Sequence, residues 1–222
     1  MKKGLVVVGI LSFLLAGCST TGSSAKETDP EVQEISVSLP AELTTLDTTQ
    51  TTDKVTFTVI QHLFEGSYRF DEKSQPVPGL AEEAVISEDG KTYTFKLKEE
   101  AKWSDGQQVQ AADFAYAWKK LVDPKTMGPN AYLLDNVVNS QDIREGKADI
   151  ATIGLETPDE KTFVVHLEQL QPSFLSVVSI GWLAPQRQSY VEEKGTAYGK
   201  TSEDLHLIRS EERRVGKECR SR

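Results

Sequence analysis

The sequence predicts a mixed α/β fold of the α+β kind, and three observations carry that prediction. Short runs such as residues 92–98, TYTFKLK, alternate polar and apolar side chains with the period of a half-buried strand. Longer runs such as residues 111–122, AADFAYAWKKLV, set Phe114, Trp118 and Leu121 along one helical face. The two kinds follow one another without the regular strand-helix-strand order of a parallel sheet.

The chain opens with Met1, Lys2 and Lys3, then an apolar run over residues 5–16 broken only by Gly9 and Ser12. A positive start before a short apolar run is the pattern of an export signal, and the run is below the roughly 20 residues that span a bilayer. Leu15, Ala16, Gly17 and Cys18 resemble a lipobox, which makes residues 1–17 a lipoprotein signal peptide and Cys18 the lipid attachment site. Two acyl chains on that cysteine give stable anchoring to a bilayer without a spanning helix. The rest of the stretch 18–34 is Ser, Thr, Gly, Lys, Glu and Pro with few apolar residues, a flexible tether.

Residues 35–39, ISVSL, alternate like a strand that Pro40 ends. Val55, Val59 and Leu63, with Ile60 and Phe64, fall at helical spacing after the cap candidates Thr52 and Asp53, and Gly66 is a natural stop. Residues 85–87 and 92–98 flank Asp89-Gly90, a hairpin signature that places Tyr93, Phe95 and Leu97 on one face. Residues 103–106, WSDG, read as a turn. The helix over 111–122 is closed by Asp123-Pro124. Residues 162–167 form a strand after the turn at 158–161. Residues 172–185 begin with a Pro at a plausible helix start and end at another.

The net charge is −9 over 222 residues. The last fourteen residues, RSEERRVGKECRSR, carry six basic and three acidic side chains. Without them and the two N-terminal lysines the charge is −14. Residues 209–222 resemble the in-frame translation of a sequencing adapter, so they are expected to be an artefact and not a basic nucleic-acid tail. The strongly acidic remainder argues against nucleic acid as a partner, because that binding is dominated by phosphate neutralisation. Of the two cysteines, Cys18 is assigned to lipid and Cys219 lies in this tail, so no disulfide is expected and packing must supply the stability.

The residues offer little chemistry for catalysis. There is no G-x-S-x-G, H-E-x-x-H or C-x-x-C motif and no phosphate-binding glycine loop. His62, His166 and His206 are scattered, with His166 on the polar side of its strand. Asp105 with Asp113, or Glu82 with Glu83, are carboxylate pairs with no supporting partner. Neither an enzyme, a metal site nor a cofactor is expected. Trp103, Phe114, Tyr116 and Trp118 read as a core stripe rather than a ligand platform, with Trp103 pinning the WSDG turn to the sheet.

Residues 80–106, LAEEAVISEDGKTYTFKLKEEAKWSDG, followed by residues 109–126, VQAADFAYAWKKLVDPKT, resemble the substrate-binding lipoproteins of peptide ABC importers, the oligopeptide-binding type of solute-binding protein family 5. Leu46-Asp47, the LFEG of residues 63–66, the PGLAE of 78–82 and the run 157–175, TPDEKTFVVHLEQLQPSFL, extend the likeness over about 35–205.

The resemblance implies a two-lobed periplasmic-binding-protein-like fold that closes on an extended peptide. Family members are more than twice as long, so an N-terminal fragment is expected: residues 35–75 start lobe I, 76–199 form its attached subdomain and 200–208 return toward the lobe. The implied function is a membrane-anchored extracellular receptor that binds oligopeptides and delivers them to an ABC permease with its ATPase subunits. Its place is the outer face of the cell membrane, or the periplasmic space of a Gram-negative cell.

Related receptors take a nickel chelate, haem or a sugar. A surface adhesion or decoy lipoprotein stands as a third reading. The resemblance places Thr51, Thr52 and Asp53 in the loop that lines the ligand cleft, and a plain helix-cap role for Thr52 and Asp53 stands beside it. Gln110 occupies a position where the family usually has a Thr or Ser cap, a difference of about 1 kcal/mol.

Overall fold

The computed structural model describes residues 38–201 and 205–207. The expected signal peptide, the expected lipobox residues Leu15, Ala16, Gly17 and Cys18, the expected tether and the tail 209–222 lie outside the described residues. Of the expected strand over 35–39 only Ser38 and Leu39 are described, and neither belongs to a regular element.

The central unit is a four-stranded antiparallel sheet with one buried face. It contains β3 (Val85–Ile86), β4 (Thr92–Lys96), β5 (Leu155–Glu156) and β6 (Thr162–His166), in the order β3-β4-β6-β5. Burial alternates along β4 and β6. The register sets Phe95 opposite Phe163 and Tyr93 opposite Val165, so all four buried side chains leave the same face. The expected β3-β4 hairpin is present. Gly90 adopts φ +67°, and the Asp89 carboxylate accepts from Ser87 Oγ at 2.6 Å and the Lys91 amide at 3.1 Å.

Helix α2 (Ala111–Val122) covers that face, with the boundaries the spacing predicts. Phe163 is its anchor: the ring lies 5.6 Å from Phe114 and 5.1 Å, edge-on, from Trp118. Trp118 also donates its indole N–H to the Leu183 carbonyl at 3.0 Å. Tyr116 departs from the expected core stripe. It is half-buried, while Phe114 and Trp118 are wholly buried. A residue two positions from Phe114 lies about 200° round the helix, on another face.

Gln110 gives α2 no side-chain cap, but Asp113 at N3 makes the reverse half of a capping box. Its Oδ2 accepts from the Gln110 amide at 2.9 Å and from Trp103 Nε1 at 3.2 Å. Trp103 therefore pins the WSDG turn, by its hydrogen bond, to the start of α2 and not to the sheet as expected. Helix α1 (Lys54–Leu63) is capped by Asp53 and ends three residues before Gly66. The segment 172–185 is less helical than expected. It holds only α4 (Phe174–Val178) and a 3₁₀ turn at Gly181–Leu183, so Pro172 stands outside the first helical turn. Two further short helices are α3 (Ser140–Arg144) and α5 (Gln188–Lys194).

A two-stranded ribbon, β1 (Tyr68–Phe70) with β2 (Pro76–Pro78), was not legible because two prolines occupy one strand. Tyr68 faces Pro78 and Phe70 faces Pro76. The hydrogen bonds flanking these pairs run from Asp71 N to Gln75 O and from Gly79 N to Ser67 O, so both prolines occupy non-hydrogen-bonded sites. Their missing N–H groups leave no gap in the ladder.

Apolar packing divides into two clusters. The larger draws on residues 68–183 and contains the sheet and α2. The smaller joins Leu46, Ile60 and Phe64 to Ala184 and Leu205.

Candidate functional site

The loop before α1 is polar yet buried. Asp47, Thr48, Thr49 and Thr51 are all buried, an arrangement that needs internal partners for every polar group. Asp47 supplies most of them. Its Oδ1 accepts from the Thr49 amide at 3.0 Å, Thr49 Oγ1 at 2.7 Å and Gln186 Nε2 at 2.8 Å. Its Oδ2 accepts from Lys120 Nζ of α2 at 2.8 Å. Burial alone pushes the Asp47 carboxyl up, and the Lys120 charge and these hydrogen bonds outweigh it and hold the group below the ordinary carboxylate range.

Gln186, with no exposed surface, spends its whole amide here. Nε2 also donates to Thr48 Oγ1 at 2.8 Å, and Oε1 accepts from Lys120 Nζ at 3.0 Å. Further along the loop, Asn130 Nδ2 donates to the Thr51 carbonyl at 2.7 Å, and Gln50 Nε2 to the Thr126 carbonyl at 3.2 Å. Gly199 closes the other end. Its carbonyl accepts the Leu46 amide at 2.6 Å, and its φ is +78°.

The three expected ligand residues sit at the end of this loop in different surroundings. Thr51 is buried, Thr52 is exposed, and Asp53 is the N-cap of α1. Asp53 Oδ1 accepts the Thr56 amide at 2.7 Å, and Oδ2 accepts from Thr44 Oγ1 at 2.9 Å. The backbone bond from Thr56 leads the contributions that lower its carboxyl to about 2. Asp53 is thus a helix cap, and Thr52 is not.

The remaining candidates are occupied in structural ways. His62 is exposed on α1. His166 bridges Glu156 at 2.9 Å and Thr92 Oγ1 at 3.2 Å on the outer face of the sheet. His206 packs on the Tyr190 ring with 3.8 Å between centroids, near Asp105. Asp105 is bonded to Arg187 at 2.6 Å, and Asp113 is consumed by the cap and Trp103. Glu82 and Glu83 are exposed. Among the described residues no group of three or more His, Cys, Asp or Glu can hold a metal ion, and no helix is long and apolar enough to cross a membrane.

A cleft of about 760 Å³ runs between the start of α2 and α5, lined by Gln107, Gln110, Asp113, Arg187 and Glu192 among others.

Residues 75–205 match the family described as bacterial extracellular solute-binding proteins, family 5 Middle. The chain belongs to that family. It is 35% identical over 197 residues to the dipeptide-binding protein of Lactococcus lactis, covering 89% of this chain and 34% of the relative. The solved substrate-binding domain of an oligopeptide ABC transporter from Bacillus anthracis is 38% identical, with a TM-score of 0.72 over 73% of this chain and 32% of that one. The Listeria monocytogenes OppA structure, bound to peptide, matches at 34% identity and the same TM-score, again over 73% of this chain and 32% of that one. The chain spans about a third of the length of the relatives it matches.

Sequence reasoning singled out Leu46-Asp47 only as part of the family likeness and missed Lys120 and Gln186. Lys120 is 73 residues from Asp47 and Gln186 is 139 away, separations at which no local pattern carries a signal.

Proposed function

We propose that this family 5 chain is part of a membrane-anchored extracellular receptor that binds oligopeptides and delivers them to an ABC permease. The observation that carries the reading is the agreement over 89% of the chain with a dipeptide-binding protein. The fold shared with a peptide-bound OppA supports it. In this reading the protein is not an enzyme: it binds, closes, docks and releases, and separate subunits hydrolyse ATP. Leu15, Ala16 and Gly17 direct processing, and Cys18 carries the diacylglyceryl group that holds the receptor at the cell surface.

Thr51, Thr52 and Asp53 form the end of the ligand-facing loop in lobe I. Thr52 has an exposed side chain and Asp53 a partly exposed one, while Thr51 is buried with its carbonyl held by Asn130 and Asp53 caps α1. Residues 35–75 open the lobe and 76–199 form its subdomain. The two apolar clusters change over elsewhere, between residues 64 and 68 and again between 183 and 184.

The test is a thermal-shift screen of the complete gene product against peptides of two to eight residues, nickel chelates, haem and oligosaccharides. A shift with peptides supports the reading. A shift confined to another ligand class replaces it with that class. Cys18→Ala is expected to move the protein from the membrane fraction to the medium or the soluble fraction, and unchanged membrane retention contradicts the lipid anchor.

A further inference from the structure

We propose that Lys120 is a positioning residue for ligand binding: it fixes the shape of loop 44–53 before any ligand arrives. The inference rests on the peptide-receptor reading above. It is drawn from how the loop is held. The hydrogen bonds that reach residues 46–51 from outside the loop come from α2, from the turn after α2, or from residues 186–199.

Lys120 Nζ joins two of these suppliers. It donates to Asp47 Oδ2 at 2.8 Å and to Gln186 Oε1 at 3.0 Å, and lies 5.1 Å from the centre of the Tyr198 ring. Asp47 relays the hold into the loop through Thr49 N and Oγ1, and Gln186 relays it through Thr48 Oγ1. Thr126 and Asn130, which follow α2, tie down Gln50 and the Thr51 carbonyl. The loop is thereby tied at four consecutive residues, 48–51, through the backbone at Thr49 N and Thr51 O and through the side chains of Thr48 and Gln50.

Two physical consequences follow. A loop ordered in advance loses little conformational entropy on binding, so preorganisation appears as affinity. Removing one partner of a nearly buried ion pair leaves the other charge without compensation, so the loop must rearrange to bring Asp47 to water. The hydrogen bonds of Lys120 go to Asp47 and Gln186 and not to residues 51–53, so its effect on a ligand runs through the loop.

The experiment compares the complete wild-type gene product with Lys120→Met and Lys120→Arg. Binding of alanine peptides of two to five residues is measured by calorimetry well below each melting temperature, with hydrogen exchange of residues 48–52 in the free proteins. Lys120→Met is expected to bind roughly tenfold more weakly, a change of about 1.4 kcal/mol, with the loss in the entropy of binding and faster exchange at 48–52. Lys120→Arg, which keeps the charge opposite Asp47, is expected to recover most of the affinity.

Wild-type affinity in Lys120→Met, even with a lowered melting temperature, overturns the inference and leaves a purely structural ion pair. A wild type that binds no peptide overturns the receptor reading and this inference together. If Lys120→Met does not fold, Thr49→Val, which removes one bond to Asp47 at similar volume, carries the same expectation on a smaller scale. Unchanged affinity and exchange in that variant overturn it.

Discussion

The indole N–H of Trp103 donates to Asp113 Oδ2, 3.2 Å away, and joins the WSDG turn to the first turn of α2. Both residues are buried, and the same oxygen caps the helix through the Gln110 amide. Burial raises the Asp113 carboxyl, against hydrogen bonds from Gln110 and Trp103 that favour the charged form. Trp103→Phe removes one of these donors and part of the packing. The expected loss is about 2 kcal/mol in urea unfolding. A loss within error of zero would show that the turn is held by other contacts.

Phe163 lies where the sheet meets α2, wholly buried and in ring contact with Phe95, Phe114 and Trp118. Phe163→Ala is expected to cost about 3–5 kcal/mol, while Phe163→Leu, which fills much of the space, costs less. Chemical unfolding of both variants checks the order. Equal effects would mean that the aromatic cluster tolerates the cavity by collapsing.

Gly199 adopts φ +78°, and a Cβ there would sit 2.5 Å from the Asp47 amide nitrogen. Gly199→Ala therefore combines left-handed strain with a backbone clash and pushes residues 46 and 47 away. The expected destabilisation is at least about 1–2 kcal/mol. A melting temperature equal to the wild type contradicts the close approach.

Asp53 contributes stability that depends on pH. Its carboxyl is lowered from 3.8 to about 2, chiefly by the Thr56 amide, so its contribution is complete above about pH 4 and is lost as pH falls through about 2. Asp47, lowered against its burial, acts in the same direction, and Asp113, raised by burial, acts in the opposite one. Asp53→Asn keeps a capping side chain without the charge. It is expected to flatten the fall of the urea midpoint between pH 4 and pH 2, and an unchanged profile there removes Asp53 from the account.

The sequence made some features legible and hid others for physical reasons. Helix α2 and the β3-β4 hairpin carry their own periodicity, and their ends are marked by Asp123-Pro124 and Asp89-Gly90. The ribbon β1-β2 was hidden because Pro76 and Pro78 are poor strand formers that only a particular register accommodates. Tyr116 reads as core by the helical spacing of the aromatic run, although two positions from Phe114 it falls on another face of the helix. At the candidate site, Asp53 was legible because a cap acts over three residues. The ties from Lys120, Gln186 and Asn130 were not, because tertiary packing alone brings those residues to the loop.

The central claim is that the protein of which this chain forms part takes peptides. Its most direct test is titration calorimetry of the complete gene product, stripped of copurifying ligand by mild unfolding and refolding, with alanine peptides of two to five residues. The account predicts saturable binding of one peptide per protein. Refolded protein that gives no heat with any peptide, yet binds a non-peptide ligand with the same stoichiometry, would contradict it.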